Sequence, residues 1–252
     1  MDPVITRHRH ELKRRDLTVA QAFRLTPHMQ RIVLQGPALA DFVSLAPDDH
    51  VKLIFPSDTD TGTDAPLMRE YTPRAFDTNT QRLTLDFALH DAGPATDWAL
   101  SARPGDTLAV AGPRGSAVVA PDFDWWLLIG DETALPAIGR WAEELPEGAR
   151  LVTLVAVPGD ADRQTFATQA ALDAYWCLRP SAQAADAEPL LDAAQALELP
   201  AGRGFIWIAA EARVARALRD HFTGARGHPK EWLKAAGYWT HGIADGSDKS
   251  LD

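Results

Sequence analysis

The hydrophobic pattern of the chain changes character at Asp122, and this change limits the fold more tightly than any single motif. Upstream, apolar stretches are short and set between turn signals. Leu17–Leu25 and Arg31–Leu34 flank Thr26-Pro27-His28, and Val51–Phe55 stops at Pro56. Leu83–His90 follows. Thr107–Ala111 runs between Arg103-Pro104-Gly105-Asp106 and Gly112-Pro113-Arg114-Gly115-Ser116. Many short strands with Gly/Pro punctuation predict an all-β barrel or sandwich. Downstream, Trp125–Gly130 is apolar throughout, the pattern of a strand covered on both faces. A helix from Asp131 to Leu145, a strand over Leu151–Val157 and a helical stretch within 160–175 come next. Ala182–Leu197 then spaces Leu190, Leu191, Ala194 and Leu197 along one helix face. Phe205–Ala210 reads as another buried strand, and Glu211–Phe222 as a helix with Val214, Leu218 and Phe222 in one stripe. Alternating strands and helices predict a parallel α/β sheet. The expected fold is a β + α/β two-domain chain, an antiparallel β-barrel over residues 1–121 and a parallel α/β domain over 122–252. The polar stretch 57–66 reads as a loop, and Ala244–Asp252 as a frayed end.

Composition narrows the function classes. A net charge of −10 argues against a general nucleic-acid surface, which is basic. No run of 18 apolar residues is present, so no membrane span is expected. The start, Met1–Arg7, lacks the apolar segment of a signal peptide, and a cytoplasmic setting is the expectation. Cys177 is the only cysteine, which excludes an internal disulfide framework and a cysteine-held iron–sulfur cluster. The eight histidines show no zinc-like spacing apart from His8-x-His10, and no metal site is expected. Residues 3–15 are basic, and read either as a solvated arm or as an edge near an anionic ligand.

The chemistry concentrates in residues 69–99. Arg69-Glu70-Tyr71-Thr72-Pro73-Arg74 sets an aromatic ring and a hydroxyl between two cations. Alternation along a strand would let Arg69 and Tyr71 share one face and Thr72 take the other, with regular pairing ending at Pro73. A planar heterocycle needs such a ring to lie against. An attached phosphate needs cations, for which arginine is the better geometric match. The strand Arg82–His90 then places His90 at its end, before Asp91-Ala92-Gly93-Pro94-Ala95 and a helix starting near Thr96-Asp97-Trp98. Helix N-termini bind anions. The plain alternative is a β-hairpin with Tyr71 as a barrel residue, His90 as a strand-end histidine, and Arg69 and Arg74 in surface ion pairs.

Arg-x-Tyr-Thr-x-Arg, followed by Asp-Phe-x-x-His-x-x-Gly-Pro-Ala-x-x-Trp-Ala, resembles the flavin-binding signature of siderophore-interacting proteins. These are FAD-dependent ferric-siderophore reductases of the ferredoxin-reductase-like superfamily. The resemblance spans roughly residues 10–243. It implies that the barrel binds FAD through Arg69, Tyr71, Thr72, Arg74, Asp86, Phe87, His90, Gly93, Pro94, Ala95, Thr96 and Trp98. Gly112-Pro113-x-Gly115 fits the family's barrel-closing turn, where glycine permits close approach to a ligand or merely a tight turn. In the family a strand pair often lies near residues 160–175.

The α/β half has no G-x-G-x-x-G. Gly130-Asp131-Glu132-Thr133-Ala134-Leu135-Pro136 instead resembles the family's turn after the first parallel strand, implying Asp131, Thr133 and Ala134 as cofactor contacts. Acidic residues there also favour the following helix N-terminus. Trp207–Ala212 resembles Trp-x-Ala-Gly-Glu-Ala, with Ala210 in the glycine's place, which would narrow the room for a nucleotide. Gly237-Tyr238-Trp239 resembles the family's closing motif, implying that Tyr238 and Trp239 shield the flavin. Thr240 stands where relatives often carry a basic residue. The expected activity passes electrons from NADPH or NADH, or from ferredoxin, through FAD to a ferric siderophore, releasing Fe(II). Lys52, Lys230 and Lys234 are candidate contacts for the anionic chelate. No catalytic residue is singled out, because the cofactor carries the redox chemistry. A monomer is expected. The rivals are a general NAD(P)H:flavin or ferric reductase, and a non-catalytic flavin- or siderophore-binding protein.

Overall fold

The computed structural model describes residues 3–55, 67–90, 93–243, 246–248 and 251. The predicted loop 57–66 and the Asp91-Ala92 step lie outside them. The chain forms two compact units. One is Ile5–Val119; the other is Ala120–Asp252, joined by Val4, whose carbonyl accepts from Ala120 N–H at 2.8 Å.

The first unit contains β1 (Ile5–Arg9), β2 (Arg14–Thr26), β3 (Met29–Gln35), β4 (Val51–Phe55), β5 (Leu67–Tyr71), β6 (Pro73–Asp77) and β7 (Arg82–Ala88). Helix α1 (Pro94–Ser101), β8 (Thr107–Ala111) and β9 (Gly115–Val119) follow. Seven strands form one antiparallel sheet in the order β5-β4-β8-β2-β3-β7-β6. Its edge strands, β5 and β6, are consecutive in the chain and separated only by Thr72. The sheet therefore curls until its two edges meet at that residue. Alternate residues supply the core, as a period of two requires: Leu17 and Val19, Ile32 and Leu34, Leu53 and Phe55, Leu83, Leu85 and Phe87. Each such side chain contributes about 1.5–3 kcal/mol by leaving water. Pro73 does not end pairing but opens β6 opposite Leu85; the break falls one residue earlier. Proline is tolerated as the first residue of a strand.

The basic stretch is not a loose arm. Ile5–Arg9 pairs with β9, from Ile5↔Val119 to Arg9↔Gly115. A Cβ on Gly115 would run into the His8 carbonyl, so that glycine serves strand approach rather than a ligand. Gly112, at φ +96°, meets the turn's need for a left-handed residue. Helix α1 starts two residues before Thr96, because Pro94 has the φ of a first helical position.

The second unit contains β10 (Trp125–Gly130), α2 (Leu135–Glu144), β11 (Arg150–Val157), β12 (Ala171–Leu178), α3 (Glu188–Ala196), β13 (Gly204–Glu211), α4 (Ala212–Asp220) and β14 (Leu233–Trp239). All five strands are parallel, in the order β12-β11-β10-β13-β14. The chain works outward from β10 to β12, then crosses to β13. That reversal puts a switch point at the carboxyl ends of β10 and β13, where open parallel sheets bind ligands. The predicted helix in 160–175 is corrected: only Asp160–Asp162 make a single 3₁₀ turn, and Ala171–Leu178 form the edge strand. The stripe of α3 holds, with Leu190, Ala194 and Leu197 buried, but the helix starts at Glu188. The tail is not wholly frayed. Leu251 is buried and its N–H donates to Ala235 C=O at 3.2 Å, while Asp248 pairs with Gly237. Among the described residues, no helix is long and apolar enough to cross a membrane.

Candidate functional site

The seam of the curled sheet carries the first cluster. Thr72 is buried there, and the half-buried Tyr71 packs its ring on Phe87, centroids 4.3 Å apart and planes tilted by 38°. Phe87 lies 5.9 Å from Trp98, which meets Phe55 edge-on at 5.7 Å. This aromatic chain brings the seam and α1 together. Burial pushes the Tyr71 phenol far above the ordinary tyrosine range, against the opposing pull of Arg69. Its O–H therefore remains a donor at neutral pH. Arg69 is half-buried and donates from Nη1 to Met68 C=O at 2.7 Å.

Beside the seam lies a buried charge cluster. Asp86, its side chain 1% exposed, accepts from Arg31 Nε at 2.6 Å and Nη2 at 2.7 Å, and Arg74 Nε lies 4.0 Å away. Arg31 and Asp86 are register partners on β3 and β7, and Arg74 occupies the irregularity between Pro73 and Ala75. Phe87 has no exposed surface and backs Tyr71 from the core. Asp86 is likewise enclosed and acts on the arginines.

At α1, His90 is exposed and lies two residues beyond the end of β7. Gly93 and Pro94 lead into the helix, Ala95 and Thr96 are buried, and Trp98 is half-buried. The Thr96 hydroxyl has no hydrogen-bond partner among the described residues. A buried hydroxyl left so costs about 1–3 kcal/mol. It sits in the first turn of a helix, where N–H groups and the macrodipole favour an anion.

In the second unit Asp131 is a saturated anchor. Its Oδ1 accepts from Thr133 N–H at 2.9 Å and Thr133 Oγ1 at 2.5 Å; its Oδ2 accepts from Glu211 N–H at 3.0 Å and Trp239 Nε1 at 2.9 Å. Four donors fill the lone-pair sites of a carboxylate. Asp131, 2% exposed, therefore ties the ends of β10, β13 and β14 together. Glu211, fully buried, caps α4 by accepting from Arg213 and Val214 N–H, and also from His241 N–H at 3.2 Å. Ala134 has no exposed surface and packs under the turn. A Cβ on Gly130 would meet Ala134 and come within 2.6 Å of Ala209 C=O. Gly130→Ala is accordingly expected to cost about 1–3 kcal/mol, read from the urea midpoint; an unchanged midpoint would contradict this packing.

Residues 18–117 match the family model of the siderophore-interacting FAD-binding domain, and residues 123–242 that of the siderophore-interacting protein. The NADPH-dependent ferric-chelate reductase of Escherichia coli (strain K12) is 38% identical, over 92% of this chain and 95% of that protein. The chain belongs to the siderophore-interacting protein family. A member's crystal structure, a siderophore utilization protein from T. fusca, superposes with a TM-score of 0.89 at 34% identity, covering 96% of this chain and 98% of that one. The fold extends to the cytochrome b5 reductase domain of Ulva prolifera nitrate reductase, with a TM-score of 0.63 at 13% identity, covering 86% and 94%. The antiparallel curled sheet followed by a parallel five-stranded sheet is thus the ferredoxin-reductase-like arrangement.

Within this family member, Ala210 does not intrude on a crevice: it has no exposed surface and packs in the apolar core. Tyr238 meets Trp207 edge-on at 6.0 Å, and both Tyr238 and Trp239 are half-buried. Lys52 lies opposite Glu70 on β5, with Nζ 3.7 Å from its carboxylate. Lys230 is exposed and Lys234 half-buried, both in the second unit. Two residues had no motif to reveal them. Arg31 is a cation in an otherwise mostly buried strand, a signal only once its partner strand is known. Arg179, just past β12, donates from Nη2 to Glu132 at 2.7 Å.

Proposed function

We propose that the chain is an FAD-dependent reductase that takes electrons from NADPH or NADH and delivers them to a ferric siderophore, whose iron leaves as Fe(II). The observation that carries this reading is the joining of Tyr71, Thr72 and α1 at one seam, with the buried Thr96 hydroxyl lacking a partner among the described residues. That donor set fits FAD. Flavin chemistry supplies the exchange between a two-electron hydride donor and a one-electron acceptor. Tyr71 offers the ring a face stiffened from behind by Phe87. Thr72 supplies a hydroxyl at its edge. Arg69 and Arg74 offset negative charge, and Thr96 with the first turn of α1 receives the diphosphate. The second unit takes the pyridine nucleotide at the carboxyl ends of its strands, as parallel sheets do. Lys52, Lys230 and Lys234 remain the candidate cations for the chelate. Support from kinship is the ferric-chelate activity in the name of the Escherichia coli relative.

Arg69→Ala and Tyr71→Ala test the flavin site. Arg69 is half-buried and donates to the carbonyl of its chain neighbour Met68, and Tyr71 packs its ring on Phe87 at the seam rather than inside the core, so both variants are expected to fold. Each should bind FAD about tenfold or more weakly, the scale of a lost charge-assisted bond or stacking contact. Unchanged flavin content in both would refute the assignment. Ferredoxin as donor is the alternative that rapid-mixing reduction with each donor separates.

A further inference from the structure

β14 is the outermost strand on its side of the parallel sheet, and Asp248 and Leu251 lie back along its open edge. The turn after Trp239 closes with Ile243 N–H donating to Thr240 C=O at 3.1 Å, and Gly242 takes φ +76°. Asp248 and Gly237 then exchange both backbone bonds, at 2.7 and 2.8 Å, as an antiparallel pair does. Leu251 N–H donates to Ala235 C=O, and its side chain, 7% exposed, joins the apolar core that includes Val214, Leu218 and Ala235. Asp248 Oδ2 lies 3.2 Å from Arg216 Nη2 on α4. The return is thus fastened to the edge strand, to the core and to a helix.

It bears on the irregular end of β14. Ala210 pairs with Gly237 and Glu211 with Trp239, so Tyr238 is the extra residue of a bulge. Bulges re-aim the side chains around them. Trp239 Nε1 donates to Asp131 Oδ2 at 2.9 Å, and Tyr238 meets Trp207 edge-on. Gly237 leaves no slack: a Cβ there would come within 2.8 Å of Ala212 Cα and 3.4 Å of Asp248 Cβ. β13 fixes one side of the bulge, and the return fixes the other.

We propose that this return is a strap, and that Asp248 and Leu251 are positioning residues that hold Tyr238 and Trp239 in place at the carboxyl edge of the sheet. The inference rests on the reading that the second unit takes the pyridine nucleotide at that edge. Without the strap β14 is paired on one side only, and segments with few buried contacts open first. A shift of about 1 Å in groups that orient a substrate can cost about a hundredfold in rate.

Leu251→Ser and a chain ending at Ser247 release the strap, while Leu251→Met keeps its bulk. Hydrogen exchange of the FAD-loaded protein, followed by NMR, reads the Gly237 amide and the Trp239 indole N–H, with the Leu128 amide in β10 as control. Both release variants should speed exchange at Gly237 and at the indole about tenfold or more and leave Leu128 unchanged. FAD content should hold, and saturating NADPH or NADH should bleach the bound flavin about tenfold more slowly. Leu251→Met should restore both rates. An indole that exchanges at the wild-type rate once the strap is released overturns the inference. So does an unchanged bleaching rate, or a Leu128 amide that accelerates as much as Gly237, since Leu251 is then only part of the core. A wild type whose FAD neither nucleotide bleaches contradicts the pyridine-nucleotide reading instead, and the indole exchange then decides by itself whether the strap holds Trp239.

Discussion

Asp86→Asn is expected to lower the stability of the first unit by about 3–5 kcal/mol and to reduce FAD retention together with it. The asparagine keeps the shape and removes the charge. Arg74, 9% exposed, then stands beside a neutral amide, and Arg31 loses its bidentate partner. Arg31 is 22% exposed and partly rehydrates, which favours the lower end of that range. Arg74 is two residues from Thr72, so disorder of its guanidinium reaches the seam directly. Urea denaturation and bound-flavin absorbance report the two effects. Because both arginines answer to one carboxylate, adding Arg31→Gln to Asp86→Asn should cost less than the sum of the single changes. A loss under 0.5 kcal/mol, or strict additivity, would show that the cluster does not act as a unit.

Asp131→Asn should be comparably damaging in the second unit. The amide oxygen can serve either the Thr133 pair or the Glu211–Trp239 pair. With the oxygen on Thr133, the amide NH₂ faces two donors, Glu211 N–H and Trp239 Nε1; with the oxygen on that pair, the NH₂ faces Thr133, whose hydroxyl can turn to accept while its N–H is left unmet. Each buried donor left unmet costs about 1–3 kcal/mol. The ends of β10, β13 and β14 should loosen together, because one carboxylate holds all three. A double-mutant cycle with Trp239→Phe separates this from simple charge loss: part of the Asp131→Asn penalty should vanish once the indole N–H is gone. A full penalty in that background would place the cost elsewhere.

How far the sequence could be read follows from which forces are local. Short apolar stretches between Gly/Pro turn signals mark the strands of the curled sheet, and the apolar run Trp125–Gly130 marks a covered parallel strand, because these signals are written in each segment itself. Strand β12 escaped because it is an edge strand: Asp173 interrupts its apolar residues, and none of its side chains is fully buried, with Tyr175 and Leu178 exposed. The Arg31–Asp86 clamp joins residues 55 apart, and Asp131 reaches donors 80 and 108 positions away. Such pairings depend on strand register and on the order of strands in the sheet, which no single segment records. Motif adjacency likewise does not say which face a residue takes. Tyr71 and Phe87 both fall in the flavin signature, yet one is half-buried at the seam and the other is enclosed behind it.

The central claim is electron transfer through flavin to ferric iron held by a siderophore, and its most direct test is spectroscopic. The FAD-loaded protein is titrated anaerobically with NADPH and with NADH, then with a ferric siderophore in the presence of a ferrous-iron indicator. The account predicts that the oxidised-flavin bands bleach with at least one nucleotide, return on addition of the ferric chelate, and return in step with the appearance of Fe(II). Bound flavin that no nucleotide or ferredoxin bleaches, or reduced flavin that the ferric chelate leaves bleached, would contradict it.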